Sequence, residues 1–415
     1  MDPRTQGRTM TAIWWIRDDQ RLHNNPTLDE ALAWRKKTGG RLVAVWFPEQ
    51  PREVVWTEFP HPIPKLSPDR AAFELACFKS LKKSLRAYHI EARVSTLNPI
   101  DFMETLQPEV VFYTHAAAIH ERQQEEALQR LGIALQGFHA RNLLKPQQVF
   151  SPDLPPTYTP FRKRIEALLG TEPFPGISTY SADASPSKSL FAHTEEGARA
   201  HLYSYVSAQG AGRQYKTRRN GMLKHSDSTK LSAYLSRGLI HPQEVWNRCL
   251  EIEAAVGGCE EVYWIRFELL WREYFQWVAF TAVSNLFRPQ GLKAHSVSQP
   301  QKGSPKAFEL WTEGRTGDAL VDAAMRELRA TGYQSNRARQ NAASYWIHDL
   351  KQPWRIGAAY FESMLLDYDA ASNWGNWAYI AGVGNDPRLF RKFNTQKQAE
   401  QYDPEETYRA YWSGQ

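Results

Sequence analysis

Apolar positions follow two different rhythms along this chain. Thr11–Ile16 is a short apolar run, and Arg41–Phe47 is a continuous, β-rich one that reads as a strand buried on both faces. Glu91–Ser95 and Pro108–Tyr113 are further strand candidates. Helix-spaced stretches at about 26–36, 68–88 and 119–131 lie between and after them. Strands alternating with helices predict an α/β domain with a doubly wound parallel sheet over residues 10–140. No Gly-x-Gly-x-x-Gly follows the first run, so no dinucleotide fingerprint is read there. Residues 170–190 are rich in Pro, Ser, Gly and Thr and centre an interdomain linker expected over 141–195. From 196 to 415 the period is helical and strand signals fade, which predicts a second, all-α domain.

Composition adds bounds. At 415 residues, 42% hydrophobic and 23% charged, the chain is long enough for two cores and is not of disordered type. A net charge of +6 is compatible with a polyanionic partner, and equally with ordinary surface lysine and arginine. Cys77, Cys249 and Cys259 are scattered, giving neither a disulfide framework nor a metal-ligand spacing. A reducing, cytoplasmic setting is expected, with no membrane span and with residues 1–9 unstructured. Fifteen tryptophans are many for this length and point to burial, stacking or electron transfer.

Four stretches carry candidate chemistry. Asp367–Trp377 gathers two acids, two asparagines and two tryptophans around one glycine. Ser372, Asn373, Gly375 and Asn376 favour caps or turns, so the stretch is expected to be a poor helix. On its residues alone it is as well a helix end plugging a core as a cofactor site. A helix is expected to start at Asp227 with hydroxyls at its N-terminus, suited to phosphate or to simple capping. On the helical run Phe267–Phe275, Glu268, Trp271, Arg272 and Phe275 share a face. Asn336 and Gln340 lie one helical turn apart.

Taken together, Trp15–Pro26, Tyr215 with Ser228–Ser232, Trp311–Leu328, Ser335–Gln340, Asp367–Trp377 and Gly382–Asp386 resemble the photolyase/cryptochrome family, and most closely its DASH branch. The resemblance implies FAD as cofactor. It assigns Tyr215, Ser228, Thr229, Lys230, Leu231 and Ser232 to the flavin pyrophosphate, and Arg272 and Asp369 to the cofactor as well. Arg339 and Asp367 match a pair beside the flavin N5 edge, and Asn373 the N5 position itself. A neutral amide there accepts the N5 hydrogen without repelling an anionic reduced flavin, as an aspartate would. Glu268, Trp271, Asn336, Arg337, Gln340 and Tyr379 fall at substrate positions, with Arg337 and Lys216 expected on DNA phosphates. Trp377 and Trp354 match an electron chain whose distal position is Gln301, with Trp311 as a substitute. Asn24 stands where the family usually has Asp, near the cleft. The resemblance leaves a folate (methenyltetrahydrofolate) antenna open: its usual glutamate falls near Ala118, Glu121 is close by, and Pro156–Arg164 resembles an antenna-side loop.

The function so implied is that of a deoxyribodipyrimidine photolyase, a carbon–carbon lyase. It splits cyclobutane pyrimidine dimers in single-stranded or looped DNA by light-driven electron transfer from reduced FAD, and acts as a monomer. Two alternatives stand beside it: a blue-light photoreceptor that binds FAD and signals, and a nucleic-acid-binding flavoprotein without repair.

Overall fold

The computed structural model describes residues 10–151, 153–180, 190–293, 302–388 and 391–414. Its first part runs β1 (Thr11–Ile16), α1 (Pro26–Thr38), β2 (Arg41–Trp46), β3 (Glu53–Trp56), β4 (Phe59–Pro64), α2 (Pro68–Leu85), β5 (Glu91–Val94), α3 (Pro99–Leu106), β6 (Val110–Thr114), α4 (Ile119–Arg130) and β7 (Leu135–Phe138). The main sheet has five strands in the order β5-β2-β1-β6-β7, with every pairing parallel. Thr11 is opposite Arg41, and Ala12 opposite both Leu42 and Val110, so β1 is central. Alternate β1 residues then serve two cores, which is why the run is continuously apolar. Ala12, Trp14 and Ile16 pack with Phe78 and Phe112 on one face, and Ile13 and Trp15 with Met103 and Leu128 on the other.

Several elements differ from the expected pattern, helix α3 among them. The antiparallel pair β3–β4 sits outside the main sheet. Its Pro60, Pro62 and Pro64 read against a strand, yet a two-stranded ribbon has solvent-side positions where a missing N–H costs nothing. Strand β7 lies at the sheet edge and contains Gly137, where a Cβ would stand 2.4 Å from the His115 ring. The stretch 156–164, expected as a loop, is instead largely within helix α6, defined below. Residues 1–9, expected to be unstructured, lie outside the described residues.

The rest is helical: α5 (Pro146–Val149), α6 (Tyr158–Leu169), α7 (Glu195–Tyr205), α8 (Tyr215–Arg218), α9 (Ser232–Arg237), α10 (Pro242–Ala255), α11 (Glu260–Ala282), α12 (Pro305–Thr312), α13 (Ala319–Thr331), α14 (Asn336–Ser344), α15 (Trp354–Met364), α16 (Ala370–Ile380), α17 (Thr395–Tyr402) and α18 (Thr407–Ser413). Between α6 and α7 the described residues form neither helix nor strand. Where a poor helix is expected, α16 runs unbroken. Asp369 caps it, accepting from the Ser372 N–H at 2.8 Å. Asn373 and Asn376 do not compete for local turns: Asn373 donates to the Ala358 carbonyl and Asn376 back to Ser372. Gly375 is there for close packing, since a Cβ would stand 2.4 Å from the Phe275 ring of α11.

The two halves are pinned by buried arginines. Arg21 donates to the carbonyls of Gly238 and Ala140 at 3.0 and 2.8 Å. Arg141 bridges Asp18 at 2.8 Å and Asp369 at 2.5 Å. Asn24 lies away from this bridge, donating to Glu244 at 3.2 Å, a bond that an aspartate could not make.

Candidate functional site

Helices α14 and α16 and the turn before α16 enclose a cavity of about 90 Å³ whose walls include Asn336, Arg339, Gln340, Asp367, Asn373 and Trp377. Arg339 donates to Asp367 Oδ2 at 2.8 Å and, through Nε, to the Gln334 carbonyl at 2.9 Å. The other Asp367 oxygen, Oδ1, is buried without a hydrogen-bond partner. Such an orphan acceptor marks a place where another donor belongs. Asn373 gives its Nδ2 to Ala358 at 3.0 Å, which leaves the amide oxygen as the atom to accept from a cofactor. An acceptor oxygen and an oriented amide on one wall fit the N–H edge of a flavin.

Toward the expected pyrophosphate seat, Tyr215 is buried and Ser228–Leu231 precede α9 rather than opening a helix at Asp227. Asp227 is engaged otherwise, with its carboxylate accepting from the Lys224 N–H at 3.1 Å. Lys230 holds a φ of +52°, and its Nζ lies 4.4 Å over the Tyr333 ring. A left-handed non-glycine residue is strained, and strain of this kind gathers at ligand clamps. Thr229 gives its carbonyl to His201 at 2.8 Å, and Ser232 begins α9.

Arg272 and Asp369, expected at the cofactor, have side chains engaged in the frame. Arg272 donates to the Arg141 carbonyl at 2.8 Å, and Asp369 takes Arg141, Gln276 and its own helix cap. Burial pushes the Asp369 carboxyl up, but Arg141, Arg272 and the Ser372 amide outweigh that and hold it at about 2.

On the substrate side, Glu268, Trp271 and Tyr379 come from α11 and α16. Trp271 and Tyr379 meet edge to face at 6.0 Å. Glu268 is paired with Arg219, which directly follows α8 and for which the sequence carries no signal of a role at this site. Burial raises the Glu268 carboxyl above its ordinary range, against the pull of Arg219. Tyr379 accepts from Arg391 at 2.9 Å. Two expected phosphate contacts carry partners of their own. Arg337 donates to Gln340, Gln398 and Asn220 at 3.1, 3.2 and 2.9 Å, and Lys216 is paired with Glu260. DNA would have to displace those partners, a cost the sequence could not show.

The tryptophans fall in two arrays of ring contacts. Trp377 meets Trp311 edge-on at 6.2 Å, and Trp311 is fully buried. Trp354 meets Trp374 at 5.7 Å, and Trp374 stacks on half-buried Trp56 of the β3–β4 ribbon at 5.9 Å. Gln301 lies outside the described residues.

A larger cleft, about 520 Å³, lies between the C-terminal sheet edge and the helical half. Trp15, Phe47, Glu121 and Tyr368 line it, with Ala118 at the start of α4. Glu121 Oε2 is buried there without a partner, and burial raises its carboxyl. The 156–164 stretch does not border this cleft: Tyr158 packs instead on Trp271, at 3.7 Å between ring centroids.

Comparison with known proteins agrees with this geometry. Residues 12–178 match the family described as DNA photolyase, and residues 264–414 the family described as FAD binding domain of DNA photolyase. A cryptochrome DASH of Gloeobacter violaceus is 35% identical over 97% of this chain and 85% of its own length. The chain belongs to the photolyase/cryptochrome family. A cryptochrome DASH of Xenopus laevis is 34% identical, covering 96% of this chain and 82% of its own. The crystal structure of a Synechocystis cryptochrome superposes with a TM-score of 0.83 at 32% identity, over 98% of this chain and 89% of that one. The helical half is thus an FAD-binding domain, and the α/β half carries the family's parallel sheet. Among the described residues no helix is long and apolar enough to cross a membrane.

Proposed function

We propose that this protein is a light-driven DNA repair flavoprotein that splits cyclobutane pyrimidine dimers, favouring single-stranded or looped DNA. The observation that carries this reading is that Trp271, which shares α11 with Glu268, packs with Tyr379 of α16, the helix that also holds Asn373 and follows the turn bearing Asp367. Bound in its reduced form, FAD supplies the light-driven electron for dimer cleavage. The chain's own residues orient and isolate. Asn373 is held by Ala358 so that its neutral oxygen would be free to accept from the flavin edge, and the Arg339–Asp367 pair fixes the neighbouring wall. Glu268, whose carboxyl burial raises against the pull of Arg219, is suited to hydrogen-bond a pyrimidine edge. Trp271 and Tyr379 offer aromatic surface to a flipped base. In the larger cleft, the orphan Glu121 oxygen suits an N–H-bearing antenna such as a folate.

The relatives carry the name cryptochrome, and that favours a second reading, a light sensor. One assay separates the two. FAD-loaded protein is illuminated with blue light on a single strand bearing one thymine dimer, against a dark control and Glu268→Ala. Repair in the light that falls at least tenfold in the variant supports the photolyase reading. Flavin photochemistry with no repaired strand favours the sensor.

A further inference from the structure

Tyr158 stands far from the rest of the site in sequence, yet it makes the tightest ring contact there. Its ring lies parallel to Trp271, with centroids 3.7 Å apart and planes 13° from each other. It is itself immobilised. The hydroxyl donates to the Phe267 carbonyl, one turn before Trp271 on α11, at 2.7 Å. Phe267 and Tyr274 pack edge-on against its ring at 5.4 and 6.0 Å. The preceding backbone is tied down from two sides, Pro155 by the Tyr274 hydroxyl at 3.2 Å and Pro156 by Asn385 at 3.0 Å. Trp271, by contrast, is only half-buried, with Phe275 at 5.6 Å, Tyr379 at 6.0 Å and Tyr274 at 6.2 Å as its other aromatic neighbours.

We propose that Tyr158 is a positioning residue for the base subsite: it backs one face of Trp271 and holds the indole ready to stack on a flipped pyrimidine. The inference rests on the dimer-binding reading above. A large side chain left to rotate must be ordered when a base arrives, and that ordering weakens binding. Tyr158 removes that freedom in advance. Its contact with Trp271 is an aromatic stack, so a phenyl ring serves and an aliphatic side chain does not.

The test is binding of FAD-loaded full-length protein to two fluorescent single strands, one with a thymine dimer and one undamaged. Tyr158→Phe is expected to stay within about twofold of wild type, whereas Tyr158→Leu and Tyr158→Met weaken the dimer strand by about tenfold, the upper range of one side chain's ordering cost. The undamaged strand is expected to change by less than about twofold, and Tyr158→Leu to add nothing in a Trp271→Ala background. A general packing role would weaken both strands, or add in full to Trp271→Ala, and either result overturns the proposal. So does wild-type affinity in both aliphatic variants, or their failure to retain FAD. A wild type that binds both strands equally removes the dimer-binding reading itself, a result distinct from an unchanged Tyr158→Leu.

Discussion

At the residue scale, Asp367 holds one oxygen against Arg339 and keeps the other buried without a partner. Asp367, Arg339 and Asn373 stand in one local motif each, so their proximity to a common cavity could be expected from resemblance. Removing Asp367 leaves half-buried Arg339 without its carboxylate, a loss smaller than the roughly 3–5 kcal/mol of breaking a fully buried pair. Asp367→Ala is therefore expected to purify with less than half the FAD of wild type, and absorbance at the flavin band checks it. Asp369 gives a pH test. Its folded value of about 2 lies below the unfolded value, so its contribution is complete above about pH 4 and is lost as pH falls toward 2. Asp369→Asn should lower stability by about 3 kcal/mol at pH 7 and by clearly less at pH 2.5. Denaturant melts at both pH values check this, and an equal loss at each would contradict it. What the sequence could not show is that Arg337, Lys216 and Arg272 already have partners, because Gln398, Glu260 and Arg141 come from other elements.

At the element scale, strands with apolar residues on every position were readable, since burial on both faces leaves no other pattern. The β3–β4 ribbon and α16 were not, because three prolines and a Gly-Asn-Ser-rich stretch suppress the local signal while packing from other elements decides. The ribbon matters because it brings Trp56 to Trp374. Electron transfer weakens exponentially with the gap between rings, so the ring contacts mark the favoured steps within each of the two arrays. Trp377→Phe is expected to abolish photoreduction of bound flavin by an external thiol, and Trp354→Phe to slow it strongly. Trp311→Phe distinguishes two exits. If the rate falls about tenfold, the contact between Trp377 and Trp311 carries the electron. If it is unchanged and Trp374→Phe slows instead, the exit runs through Trp354, Trp374 and the ribbon. Stopped illumination with flavin absorbance reads both, and no effect from either variant would contradict both routes.

At the scale of the whole molecule, the alternation of strands and helices followed by helical periodicity was enough to foresee an α/β half and a helical half. The arginine network that seats one on the other was not, since Arg21 and Arg141 look like surface residues until the carbonyls and carboxylates around them are placed. The assembled site has an aromatic wall that ends in Tyr379 where a larger ring would offer more stacking surface. Flipping a dimer from a duplex costs a few kcal/mol that a single strand largely avoids, and stacking on one base returns about 1–3 kcal/mol. Tyr379→Trp is therefore expected to narrow the gap between the two substrates. The gap itself is the most direct test. Initial rates of dimer repair under blue light are measured with the same lesion in a single strand and in its matched duplex, at equal concentration and salt. Repair of the single strand at least tenfold faster than the duplex is the predicted result; equal rates on the two, or no light-dependent repair of either, would contradict the account.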